Sequence, residues 1–117
     1  MSVKTLKKYE TTTSEKFQNA EQLWFWFLYS KSVQNGFHYN TSSIKRPCEI
    51  LDVESLVTKL YLCGKLNDEQ LEVLKKFGDK KRAPHQYIYH ENRAASLWKS
   101  AMDVIGEYAS NKGWLVD

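Results

Sequence analysis

Leu23-Trp24-Phe25-Trp26-Phe27-Leu28-Tyr29 puts two of the chain's four tryptophans and two of its five phenylalanines into one run. Each large apolar or aromatic side chain gains about 1.5–3 kcal/mol from burial, so such a run belongs at the centre of a core. A strand is the competing reading of so aromatic a segment. The flanks favour a helix: Ala20-Glu21-Gln22 and Lys31-Ser32-Val33-Gln34 tolerate it, and no second strand-like segment offers a pairing edge. The run is therefore expected in a helix that starts near Asn19, with Gln22 three residues on as its capping-box partner. It should stop at Gly36, because glycine accepts the left-handed conformation that ends helices.

Downstream, Gly36 to Leu51 is the longest irregular stretch, with Asn40-Thr41-Ser42-Ser43 and Arg46-Pro47. A second helix is expected to open at Asp52 as N-cap and to end at Gly64. Val53, Leu56, Val57, Leu60 and Tyr61 give it one apolar face. A third follows at once: Asn67 caps, Gln70 closes the capping box, and Leu66 and Leu71 flank the cap as a hydrophobic staple. Leu71, Leu74 and Phe77 form its inner face, and Gly78 is read as its terminator. So short a connection makes helices two and three an αα-hairpin. Asp79 to Pro84 reads as a charged turn, and His85 to His90 either as an extended segment or as the lead-in to the last helix, expected over Glu91 to Lys112. That helix carries Ala94, Trp98, Ala101, Met102, Ile105, Tyr108 and Ala109 on one stripe; Gly113 ends it, and Trp114-Leu115-Val116 can fold back on the core.

Upstream, residues 1–14 combine Lys4, Lys7, Lys8 and Glu10 with a Thr11-Thr12-Thr13-Ser14 cluster, and read as a flexible N-terminal arm to a helical domain over 15–117. The expected fold is all-α: a single compact domain of about four helices with a central αα-hairpin. Its core is expected on Leu23, Trp24, Phe27, Leu28, Leu56, Leu60, Leu71, Leu74, Trp98, Met102 and Ile105. At 117 residues, 42% hydrophobic and 26% charged, the chain has ample material for one core, which excludes whole-chain disorder. No apolar stretch approaches the roughly 18 residues of a membrane span, and Met1 to Glu10 lacks the apolar centre of a secretory signal. Two cysteines, Cys48 and Cys63, are too few for a disulfide scaffold, so a reduced cytoplasmic setting is expected, with both thiols as small packing groups.

Chemistry is harder to find. There is no glycine-rich phosphate loop, no nucleophile elbow and no His-Glu-x-x-His. His85 and His90 are five apart, which is not a single-face helical spacing for a metal pair. Asp68, Glu69 and Glu72 most simply stabilise the start of the third helix through its dipole. The expectation is no catalytic activity, no cofactor and no metal.

Charge, by contrast, is uneven. Leu51 to Leu74 holds two lysines against five acids, and Lys75 to Arg93 six basic residues against two acids, in a chain of net charge +3. Lys75, Lys76, Lys80, Lys81, Arg82 and Arg93, with Lys99 beyond them, interleave with Tyr87, Tyr89 and two histidines. Basic groups neutralise phosphates and aromatic rings stack on bases, which makes this segment a candidate contact for DNA or RNA. The competing reading is a turn kept soluble by its lysines, with the tyrosines in the core. As a helix-turn-helix the hairpin fits poorly: Asp68, Glu69 and Glu72 would meet phosphates where a recognition helix presents its first turn. Lys59 and Gln70 also fall where that motif expects apolar residues. If a helix enters a groove, the last one is the better choice, through Asn92, Arg93, Ser96 and Lys99.

Ala20 to Trp26, Arg46 to Glu49, Lys59 to Leu66, and Leu97-Trp98 through Gly113 resemble a small uncharacterised helical protein family of alphaproteobacteria. That resemblance implies a bacterial source and no particular activity. In layout, though not in motif, the order of hairpin, Phe-Gly, basic turn and long helix is similar to the C-terminal helical region of phage-type late transcription activators and to sigma-factor region four. The acidic third helix departs from both. The function expected is a small cytoplasmic nucleic-acid-associated or transcription-regulatory protein that uses the basic turn. The alternative is a protein–protein adaptor, or a homo-oligomeric module, in which apolar surface near Phe37, Tyr39 and Trp114 binds a partner or a second copy.

Overall fold

The computed structural model describes residues 15–36 and 45–116. The arm and residues 37–44, including Phe37 and Tyr39, lie outside them. Among the described residues there are four α-helices: α1 (Ala20–Gly36), α2 (Ile50–Leu62), α3 (Asp68–Lys80) and α4 (Asn92–Asn111). A single 3-10 turn, Tyr89–Glu91, leads into α4. The fold is all-α. None of these helices is long and apolar enough to cross a membrane.

The aromatic run is helical and central: α1 packs against each of the other three helices. Its start is set locally, with Asn19 Oδ1 accepting from the Gln22 N–H at 2.9 Å. The Gln22 side chain reaches back to Gln18 N–H rather than to the cap itself, at 2.6 Å. Leu23, Trp24 and Phe27 are buried, Phe25, Trp26 and Leu28 partly so, and Tyr29 faces solvent. At 3.6 residues per turn a seven-residue run must cover the whole circumference, so only the side facing the other helices is dry.

Helix α2 begins earlier than the sequence suggests. Ile50 is its first residue, and Asp52 is not the cap: its Oδ2 accepts from the Glu49 N–H at 2.8 Å, closing the end from inside the first turn. Val53, Leu56 and Leu60 are buried, whereas Tyr61 is exposed and donates its hydroxyl to Asp68 Oδ1 at 2.8 Å. The chain turns at Gly64 with φ +85°, and the Lys65 and Leu66 amides both return to Leu60 O. Asn67 and Gln70 then exchange the reciprocal capping bonds at 2.8 and 2.9 Å. The connection is as short as expected, yet α2 packs mainly on α1 and α3 mainly on α4, rather than on one another.

Gly78 does not terminate α3, which runs on to Lys80. It lies buried where α3 meets α1. A Cβ added there would collide with Leu28 Cδ1 and stand 3.1 Å from Trp24 Nε1. The indole N–H of Trp24 donates to Leu74 O at 3.0 Å, one turn away along α3. The terminating residue is Lys81, which takes the left-handed conformation at φ 61°.

The most extensive helix pairing is α3 with α4. Trp98 of α4 is buried, and its Nε1 donates to Glu21 Oε2 of α1 at 2.8 Å. After Gly113 the chain reverses, Trp114 is buried, and a parallel bridge forms between Phe17 and Leu115. Trp114 is therefore core and offers no adaptor surface. Of the expected core, Leu28 and Leu71 are only partly buried, while Phe17, Val53, Leu66 and Phe77 join it. Cys48 is buried, and its thiol is pushed up to about 12 by desolvation and by Asp52, with Arg46 opposing. Cys63, expected to pack inside, is instead exposed at the end of α2.

Candidate nucleic-acid interface

Two lysines of α3 and one arginine just past its end gather around one buried ring. Lys76 Nζ, Lys80 Nζ and Arg82 Cζ stand 5.6, 5.0 and 5.4 Å from the centre of the Phe77 ring. Their aliphatic stems cover apolar surface while the charged heads stay in water. The left-handed Lys81 turns the chain back, with its N–H returning to Gly78 O at 3.0 Å and that of Arg82 to Phe77 O at 3.2 Å.

That reversal directs Arg82 at Glu91. The guanidinium grips the carboxylate with two bonds, Nη1 to Oε1 at 3.0 Å and Nη2 to Oε2 at 2.7 Å. The Glu91 side chain is 7% exposed and that of Arg82 46%. The His85 N–H donates a third bond to Glu91 Oε1 at 2.8 Å. Residues 83–90 thus form a loop closed at its neck by a charge-assisted clamp. The clamp holds the Glu91 carboxyl down at about 2, through Arg82 first and the His85 amide second. Lys80 is close enough to lower it further. Arg82 therefore does not project freely into solvent, because the fold uses its charge to satisfy a buried acid.

Of the two readings, the loop is the lead-in to α4 and not an extended segment. Ile88 N–H returns to His85 O at 3.1 Å, Glu91 N–H to Ile88 O at 2.8 Å, and Tyr87 N–H to His85 Nδ1 at 3.3 Å. Tyr87 and Tyr89 are 82% and 91% exposed. The reading that placed these tyrosines in the core is overturned: Pro84 and Glu91 point inward, and the rings are left outside.

The seven sequence candidates fall into two groups. Four are held by acids: Arg82 by Glu91, Arg93 by Glu69 at 2.7 Å, Lys75 by Asp79 at 3.5 Å, and Lys99 by Asp103 at 3.4 Å. Among the described residues, no carboxylate lies within ion-pair distance of Lys76, Lys80 or Lys81. Asn92, Arg93, Ser96 and Lys99 are all exposed at the start of α4. Arg93 nonetheless spends its guanidinium on joining α4 to the acidic first turn of α3. Tyr87 and Tyr89, which the sequence offers only as aromatic neighbours of the basic residues, are the groups the structure adds. The signal for them was the tyrosine pair three and five residues after Pro84.

Among the described residues, the two buried polar side chains other than tryptophan indoles are both occupied structurally. Gln70 donates to Ser100 Oγ at 2.8 Å, and Glu91 closes the clamp. Among the described residues no three His, Cys, Asp or Glu side chains gather as metal ligands would. No family model, curated protein or solved structure matches this chain.

Proposed function

We propose that this protein is a small cytoplasmic, bacterial nucleic-acid-binding protein of regulatory type, without catalytic activity. The observation that carries this reading is that Lys76, Lys80 and Lys81, paired with no carboxylate among the described residues, are followed in the chain by the exposed rings of Tyr87 and Tyr89 on the loop that Arg82 and Glu91 close. Cations attract phosphate and flat rings attract bases, so the end of α3 and the loop after it supply both halves of the contact. Arg82 belongs to the scaffold under this reading, and Lys80 and Lys81 to the contact.

The test is titration of the purified protein against labelled DNA and RNA at two salt concentrations. Affinity should fall with added salt, the logarithmic slope losing roughly 0.7–0.9 for each phosphate contact removed. Changing Lys80 and Lys81 together to Ala should lower affinity and flatten that slope while leaving the melting temperature nearly unchanged, because exposed lysines contribute within about half a kcal/mol. Binding that ignores both salt and this double change would sink the reading. The adaptor alternative has its own observation. Leu51 and Leu62 are 69% and 76% exposed, and share one face of α2 with the exposed Ser55 and Thr58. Self-association abolished by Leu62→Ser would favour it.

A further inference from the structure

Resting on that reading, we infer that the end of α3 and its clamped loop take single-stranded rather than duplex nucleic acid, with unpaired bases stacked on Tyr87 and Tyr89 and phosphates held by Lys76, Lys80 and Lys81. Three features of the fold carry this. First, both rings are almost wholly exposed in a chain that buries Trp24, Trp98 and Trp114, so the core has no use for them. Second, they stand on an ordered loop. The two Arg82 bonds, the His85 amide bond to Glu91 and the Ile88-to-His85 turn close it on itself. Rings that are already positioned lose less freedom when a base arrives, so more of the stacking energy appears as affinity.

The third feature concerns geometry on the nucleic-acid side. In a duplex the faces of the bases are covered by their neighbours, and a protein reads edges in a groove with an inserted helix or ribbon. Neither helix start is suited to that here. The first turn of α3 carries Asp68 and Glu69, and Arg93 at the start of α4 is bound to Glu69. Tyrosines on a protruding loop reach what a single strand exposes, the flat face of an unpaired base. Every base has such a face, so binding should tolerate sequence.

The experiment compares anisotropy titrations of a labelled oligothymidylate and of a duplex of equal length, using the full chain. The wild-type protein should bind the single strand at least about tenfold more tightly. Tyr87→Ala with Tyr89→Ala should weaken single-strand binding by about fivefold to a hundredfold per stacked base. This loss should leave the salt slope unchanged, since a slope counts phosphates and not rings. Tyr87→Phe with Tyr89→Phe should keep affinity within about twofold and guards against misfolding as the cause of any loss. Equal affinity for duplex, no effect of the Ala pair, or a loss equally large with the Phe pair would overturn the stacking inference while leaving nucleic-acid binding in place. Binding to neither probe at low salt would overturn both.

Discussion

Glu91 is the residue on which the candidate site turns. Its carboxylate lies inside, yet every one of its strong partners comes from the loop it closes: the Arg82 guanidinium and the His85 amide. Holding its pKa at about 2 against an ordinary 4.5 means that the unfolded chain takes up the proton first as pH falls. The stabilisation is therefore fully present above about pH 4.5 and fades as pH drops toward about 2. Glu91→Gln should lower the melting temperature near neutral pH, and its gap to wild type should shrink over that acid range, because the wild type loses the charged pair there too. Thermal melts of both proteins between about pH 7 and 2.5 decide it; a gap independent of pH would show that the charge contributes nothing. Nothing in the local sequence marked Arg82 as structural. It stands in a Lys-Lys-Arg run that reads as uniformly solvated, and its partner lies nine residues on.

At the scale of elements, capping was legible and glycine was ambiguous. Asn67 and Gln70 specify the start of α3 through bonds that span three residues, so no tertiary information is needed. Gly78 is different, since the same residue type serves a left-handed helix end or a close approach of two helices. Its place was decided by Leu28 and Trp24 of α1, fifty residues away. Gly78→Ala tests that assignment. Alanine favours a helix by up to about 1 kcal/mol, but crowding a packed contact costs about 1–3 kcal/mol. Leu28 is only partly buried and can move aside, whereas the Trp24 indole is buried and tied to Leu74 O. The net expectation is a loss of up to about 2 kcal/mol in urea denaturation, smaller when Leu28→Ala is combined with it. A gain in stability would show that the helices can separate freely at this crossing.

For the molecule as a whole, closure depends on joining the two ends of the described chain. Phe17 is fully buried, stands 5.1 Å from the Trp26 ring, carries Arg46 over its face at 4.5 Å, and exchanges backbone bonds of 2.9 Å with Trp114 and Val116. Phe17→Ala should cost about 3–5 kcal/mol, and should shift helix signal and tryptophan emission together in a denaturant titration. Separate transitions would mean that the α1–α4 end opens independently of α3. The aromatic run, the three apolar stripes and the caps were enough to establish from sequence that four helices form and which face of each turns inward. All of these rest on interactions three or four residues apart. What the tertiary structure alone decided is which polar groups remain available: Arg82 and Arg93 neutralised by acids on other elements, Trp114 covered by the return to Phe17, and Tyr87 and Tyr89 left outside. A charge or a ring is exposed only if packing brings no partner to it. The partners here come from nine to nearly a hundred residues away, beyond the reach of any local pattern.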